Sequence, residues 1–91
     1  MLYTFSQADY PQPELQRILE NITAQDAVLL WQNGVLLAVK YPEFFADCYI
    51  LETDVSARNL TALLPEGHKV RLISMENLVQ LTERFSPQFA L

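Results

Sequence analysis

The sequence predicts a small α/β domain of three layers, with helices on both faces of a mostly parallel sheet of four to five strands. Short segments rich in β-forming residues alternate along the chain with segments whose apolar residues recur at helical spacing. One strand segment is apolar throughout, which is typical of a central parallel strand buried on both faces. Alternation of this kind favours right-handed β-α-β units.

The first half of the chain begins with a strand, a helix and a second strand. Met1–Phe5 is predicted as the short opening strand. A helix follows Pro11 and Pro13, because a proline in the first helical turn loses no hydrogen bond. Ala27–Trp31 is the strand that is apolar throughout. The apolar stripe of the helix comprises Leu15, Ile18, Leu19 and Ile22.

The segment after the second strand allows two interpretations. Asn33-Gly34 is a hairpin signal, so Val35–Val39 could pair back as an antiparallel strand. Alternatively, Val35–Lys40 forms a short crossover helix packed on the sheet. We favour the helix, because the leucine and alanine residues of this segment are good helix formers.

The third strand is predicted over Asp47–Leu51. A helix over Val55–Leu64 follows it, with Thr53-Asp54 as its N-cap, because short polar side chains accept hydrogen bonds from the first helical N–H groups. The proline and glycine within residues 65–67 end this helix.

The last unit consists of a strand over Lys69–Ile73 and a helix over Met75–Phe85, which Ser74 caps. Gln88–Leu91 is predicted as a final short edge strand. Because the chain shows neither an internal repeat nor a linker, we predict a single domain over residues 1–91, a flavodoxin-like α/β/α sandwich.

Size, charge and cysteine content exclude several classes of protein. A chain of 91 residues buries only about 60–65% of its unfolded surface, so we expect it to associate with partners. A net charge of −5 argues against direct, tight nucleic-acid binding, which requires a basic surface. The single cysteine excludes an internal disulfide, and no Cys/His cluster offers a zinc site. No segment resembles a signal peptide or a membrane span, so we expect a cytoplasmic protein without membrane contact.

No catalytic set occupies the loops that follow the strands, where parallel sheets place their chemistry. Two glycines in the whole chain do not make a cradle for a flavin or nucleotide, so no cofactor or metal is predicted. His68 precedes a strand and lacks a partner, and neither Ser6 nor Ser74 has a companion His and Asp. Asp54 is better explained as a helix cap than as an acid/base partner of Glu52.

Two further residues bear on function. Cys48 lies in a predicted buried strand, where a free thiol acts as a small hydrophobe and not as a nucleophile. Trp31 lies at the carboxyl end of a central strand, either as a core-edge aromatic or as a contact to a partner. The candidate partner interface is the segment formed by Trp31, Gln32, Asn33 and Gly34.

The chain also shows a family resemblance in the order and spacing of three segments. These are the opening Met-Leu-Tyr-Thr, the stretch Leu29–Val35 and the closing Ser-Pro-Gln-Phe-Ala-Leu. In these features and in total length, the whole chain resembles the TusB/DsrH family, whose members carry Gln- or Glu-Asp-Gly-Val after a hydrophobic strand and end in Gln-Ala-Trp. Asn33 stands where the family commonly has Asp, which keeps the turn geometry but removes a charge.

The resemblance implies a DsrE/F/H-like fold and a dimer of heterotrimers with sister subunits of the TusC and TusD type. Such an assembly relays persulfide sulfur toward 2-thiolation of the tRNA wobble uridine, and the D subunit carries the sulfur on a cysteine. Some DsrH relatives have a cysteine in the first helix. This sequence has Ile18 at the matching position, and Cys48 does not match it.

The leading hypothesis from the sequence is a non-catalytic subunit of a sulfur-relay complex. Two alternatives stay open. One is a sulfurtransferase with Cys48 as its persulfide carrier, and the other is a homodimeric adaptor without relay activity. The isolated chain is also a candidate for pairing with itself.

Overall fold

Residues 1–42, 45, 47–60, 63 and 69–91 are described by a computed structural model. Its strands are β1 (Leu2–Phe5), β2 (Ala27–Leu30), β3 (Asp47–Leu51), β4 (Lys69–Ile73) and β5 (Gln88–Ala90). Its helices are α1 (Gln12–Asn21), α2 (Leu36–Lys40), α3 (Glu52–Ala57) and α4 (Met75–Arg84), and a 3-10 helix over Gln32–Val35 leads directly into α2.

The five strands that the structure describes form one parallel sheet in the order β4-β3-β2-β1-β5. The predicted fold class is therefore confirmed. Strands β1 to β4 follow one another across the sheet, and β5 returns to the free side of β1. This order differs from the 2-1-3-4-5 order of flavodoxin, so the likeness to flavodoxin is one of architecture.

Strand β2 shows why the sheet is covered on both faces. All of its residues are buried. Val28 and Leu30 belong to the cluster that includes buried side chains of α1, α2 and α3, whereas Ala27 and Leu29 belong to the cluster to which α4 contributes. Successive side chains of a strand point to opposite faces, so the two clusters are the two cores of a three-layer sandwich.

The segment after β2 forms helix and not a hairpin, as we favoured. Leu37 and Ala38 of α2 are fully buried against the sheet. As a return strand the same residues would give up this packing, and burial of a leucine side chain contributes about 1.5–3 kcal/mol.

The prediction for α3 was wrong at both ends. The helix begins at Glu52, directly after β3, so Asp54 lies inside its first turn and does not cap it. The helix ends at Ala57, and Asn59 then adopts a left-handed conformation with φ of 53°. Leu60, which lies within the predicted helix, is buried beyond the end of the observed one. Residues 64–68, including His68, lie outside the described residues.

The final helix begins as predicted. Ser74 is the N-cap of α4, and its Oγ accepts a hydrogen bond from the Asn77 N–H at 3.2 Å. We expect Ser74→Ala to lower the free energy of unfolding by about 1 kcal/mol, because one N–H in the first turn loses its acceptor. Urea denaturation measures the change. Ser56→Ala, at an exposed position inside α3, is the control and should leave stability unchanged. Equal stability of the two variants would contradict the capping role.

Candidate partner-binding site

The segment that follows β2 lies at the carboxyl edge of the sheet. Trp31 is extended, and its N–H donates to the Phe5 carbonyl at the end of β1 at 3.2 Å. Gln32 then takes a left-handed conformation with φ of 52°, which turns the chain into the 3-10 helix. The Gly34 N–H closes this turn by donating to the Trp31 carbonyl at 2.9 Å.

Gly34 is required here for space. A Cβ at this position would lie 1.9 Å from the Phe5 carbonyl oxygen and 2.6 Å from the Phe5 carbonyl carbon. The 3-10 helix therefore packs directly on the end of β1, and Gly34 is buried. Gly34 therefore holds the loop in place, whereas its neighbours Gln32 and Asn33 are exposed.

A polar network fixes the loop to α3. The Gln32 N–H donates to Asp54 Oδ2 at 2.6 Å. Arg58 Nη2 donates to Asn33 Oδ1 at 2.8 Å, and Arg58 Nη1 donates to the Asp54 carbonyl at 3.0 Å. Arg58 Nη1 also lies 3.5 Å from Asp54 Oδ1, as an i, i+4 ion pair. The loop and α3 therefore form one surface held by charge-assisted hydrogen bonds.

Asp54 and Arg58 lie beside the predicted segment and are joined to it by these hydrogen bonds. Neighbouring parallel strands end at the same edge, so the first turn after β3 had to lie beside the loop after β2. This adjacency of the two strand ends could have indicated that Asp54 lies beside the loop. The i, i+4 spacing of Asp54 and Arg58 could then have indicated that Arg58 pairs with Asp54. On this surface Gln32 and Asn33 are exposed, and they are joined to the ion pair between Asp54 and Arg58. Such a surface fits binding better than catalysis.

Trp31 contributes mainly to the chain's own packing. Its ring is partly buried against the cluster that contains Leu2, Leu29 and Leu81. The indole Nε1 is buried and makes no hydrogen bond within the described part of the chain. The ring is thus a core-edge aromatic on the face of the sheet that α4 covers.

The network gives a stability prediction. We expect Asp54→Ala to lower the free energy of unfolding by about 1–2 kcal/mol, because the Gln32 N–H and the Arg58 guanidinium both lose an acceptor. Asp54→Asn keeps an acceptor oxygen and should cost less. A double-mutant cycle with Arg58→Ala, followed by urea denaturation, isolates the coupling. Additive effects of the two substitutions would contradict a shared network.

In the loop after β1, the backbone N–H groups that could bind a phosphate are already hydrogen-bonded within the chain. The N–H groups of Ser6 and Gln7 both donate to the Tyr10 hydroxyl, at 3.2 Å each. The Ser6 hydroxyl donates to the Leu91 carbonyl at 3.1 Å. The backbone donors that would face an anion are therefore occupied by the chain's own side chain.

The described residues contain no group of three or more His, Cys, Asp or Glu side chains placed to hold a metal ion. Among the same residues, no helix combines the length and apolar character needed to cross a membrane.

Cys48 is buried in the core between β3 and the helices of one face. It is 2% exposed, and its Sγ donates to the Phe45 carbonyl at 3.3 Å. Burial, with a smaller contribution from the Asp47 carboxylate, raises the pKa of the thiol from 9.0 to about 12. The thiolate that sulfur transfer requires is thus strongly disfavoured. Ile18, at the position where some relatives place a thiol, packs partly buried against the same core.

Residues 7–88 match the family described as "DsrH like protein". The chain belongs to the DsrH-like family. This DsrH-like chain is 36% identical over 97 residues to Protein TusB of Yersinia pestis (strain Pestoides F), with 99% of each chain covered. The resemblance to the TusB/DsrH family is confirmed, and membership indicates a role in sulfur relay.

Two further similarities extend over nearly the whole DsrH-like chain. An uncharacterized protein of Haemophilus influenzae is 58% identical over 95 residues, covering 100% of both chains. The solution NMR structure of protein Tm0979 from Thermotoga maritima is similar with a TM-score of 0.61 and 29% identity, covering 91% of this chain and 92% of that one. The similarity of fold therefore accompanies a similarity of sequence.

Proposed function

We propose that the chain is a non-catalytic subunit of a sulfur-relay hetero-oligomer, which passes persulfide sulfur toward 2-thiolation of the tRNA wobble uridine. One observation carries the proposal. In this member of the DsrH-like family the single cysteine, Cys48, is 2% exposed, and the pKa of its thiol is raised to about 12. A subunit of this kind serves the relay by binding, while a sister subunit carries the sulfur.

The acidic charge of the chain supports the same division of labour. With a net charge of −5, the chain lacks the electrostatic attraction for phosphates on which tRNA binding depends. Contact with tRNA therefore belongs to other members of the pathway. The partners of this chain are sister subunits of the TusC and TusD type.

The surface that we assign to these partners is the loop–helix surface, defined as Gln32, Asn33, Asp54 and Arg58. Its polar groups are pre-positioned by hydrogen bonds within the chain, so binding loses little conformational entropy there. Gln32 and Asn33 remain exposed at its centre and are free to contact a sister subunit.

Native mass spectrometry of the chain co-expressed with its two sister subunits tests both parts of the proposal. We expect a complex that contains all three chains. Gln32→Arg should reduce the fraction of assembled chain, because it places a long charged side chain on the surface. Gln16→Arg makes the same change at an exposed position of α1 and is the matched control.

The outcomes separate the two parts. If this chain is found only as a free monomer when it is co-expressed with the sister subunits, the proposal that it is a subunit of their complex is wrong. If the complex forms and both arginine variants assemble like the unmodified chain, the subunit role stands and the assignment of the surface is wrong.

A further inference from the structure

A cavity of about 410 Å³ lies at the amino edge of the sheet, beside the end of α4. The sheet contributes Ala27 and Asp47, the first residues of β2 and β3, together with Tyr49 of β3. Helix α4 ends at Arg84, and Arg84 and Phe85 line the cavity from that side. The loop–helix surface lies at the carboxyl edge, so this cavity is a separate site.

Two guanidinium groups line this cavity, one from Arg71 in β4 and one from Arg84 in the last turn of α4. The guanidinium carbon of Arg71 lies 5.1 Å from the centroid of the Tyr49 ring. That of Arg84 lies 5.4 Å from the centroid of the Phe85 ring. An aromatic ring orients the face of a guanidinium group but leaves the N–H donors at its rim available to a ligand.

The carboxylates that line the cavity neutralise these cations only in part. Asp26 is paired with the Met1 amino group at 3.1 Å. Asp47 Oδ1 lies 3.8 Å from Arg71 Nη2, and because both side chains are more than half exposed, this ion pair is weak. Among the described residues, no carboxylate forms an ion pair with Arg84. The described lining therefore keeps one uncompensated positive charge, on Arg84.

The chemistry of the lining fits an oxyanion carried on a small apolar body. A guanidinium group donates two parallel hydrogen bonds to two oxygens of a carboxylate or a phosphate. The Tyr49 hydroxyl makes no hydrogen bond within the described part of the chain and adds a neutral donor. Ile22, Ala27 and Phe85 supply apolar lining. The volume of the cavity is within the range of small-molecule sites, about 300–1,000 Å³.

We propose that this cavity binds a small organic oxyanion, whose carboxylate or phosphate group is held by Arg71 and Arg84 and whose apolar body contacts Ala27 and Phe85. The chain as a whole carries −5, but at physiological ionic strength charges more than about 8 Å away are largely screened, so the two nearby cations decide the local attraction. The site uses no residue of the loop–helix surface, so it is independent of the role proposed in sulfur relay.

NMR titration of the full chain at constant ionic strength tests the site. The probes are benzoate, phenyl phosphate and benzyl alcohol, which share an aromatic ring and differ in charge. We expect at least one of the two anions to cause saturable shift changes at the Tyr49, Arg71 and Arg84 amides and at the arginine Nε–H groups, and benzyl alcohol to cause none. The anion with the lower dissociation constant identifies the preferred group as carboxylate or phosphate.

Two pairs of variants sharpen the test. Arg84→Gln should raise the dissociation constant of the anion about fivefold or more, because it removes the uncompensated cation. Arg17→Gln makes the same change at an exposed position of α1, on the other face of the sheet, and should bind like the unmodified chain. Asp47→Asn should lower the dissociation constant about two- to fivefold, because it releases Arg71 from its ion pair. Glu14→Gln, also exposed on α1, is the control for that change.

Three results would overturn the proposal. The first is the absence of saturable shift changes with either anion. The second is binding of benzyl alcohol as tight as that of the anions, because the cavity then selects an apolar body and not a charge. The third is an equal loss of affinity in Arg84→Gln and Arg17→Gln, because the attraction is then a property of total charge. Failure to assemble with sister subunits would leave all of these results unchanged.

Discussion

Gly34→Ala is expected to destabilise the fold by about 3 kcal/mol or more, which is a large part of the total stability of a small domain. The added Cβ would lie 1.9 Å from the Phe5 carbonyl oxygen, far inside van der Waals contact. The atoms in the way belong to the backbone of β1, so no side-chain rotation relieves the overlap. Either the 3-10 helix or the end of β1 must move.

Gln32→Gly is the opposite change two residues away. Gln32 has a φ of 52°, which glycine adopts without strain. We expect the free energy of unfolding of the Gln32→Gly variant to be unchanged or raised by up to about 1 kcal/mol. Both variants are measured by urea denaturation and by thermal melting. A Gly34→Ala variant as stable as the unmodified chain would show that the loop does not pack on β1 as described.

The second large effect concerns Cys48. With its pKa raised from 9.0 to about 12, the thiolate fraction at neutral pH falls about a thousandfold. Alkylation of the native protein should be slower by at least this factor than alkylation of the urea-unfolded chain, because the sulfur is also 2% exposed. The native rate should still rise with pH between about 10 and 12, where an ordinary thiol with a pKa of 9.0 has already reached its plateau.

The same pKa shift makes stability depend on pH. The thiol of the unfolded chain ionises near 9.0, whereas the folded thiol stays neutral to about 12. The contribution of the neutral buried thiol is therefore complete below pH 9 and is lost as pH rises toward 12. Equal alkylation rates in the native and unfolded protein would contradict burial and would reopen Cys48 as a sulfur carrier.

Local patterns predicted most of the elements, and their success has a physical reason. The apolar run of β2 predicted a central strand because burial on both faces admits no polar residue. Ser74 predicted the start of α4 because a capping side chain acts on neighbours within one turn. Both signals depend on residues that are close in sequence.

The features that the sequence did not predict depend on residues that are distant in sequence. Asp54 fits the pattern of a cap, but its carboxylate accepts from the Gln32 N–H, 22 residues away. Asn33-Gly34 fits the pattern of a hairpin, but Gly34 is required because the loop packs on Phe5. The place of β5 beside β1 likewise follows from the whole sheet.

The partner interface at this edge of the sheet stays a prediction. The sequence identified the segment Trp31 to Gly34, because it follows the most apolar strand. It did not identify Arg58, whose side chain joins this segment to α3. A combination of strand order and helix spacing would have been needed, and strand order is a property of the tertiary structure.

The most direct test of a non-catalytic role is the 2-thiouridine content of tRNA in cells that express the sister subunits. Cells that carry Cys48→Ala in place of the unmodified chain are compared with cells that lack the chain, at matched protein abundance. We expect the Cys48→Ala cells to keep the full 2-thiouridine content and the cells without the chain to lose it. Loss of 2-thiouridine in the Cys48→Ala cells, to the level of the deletion, would contradict the account.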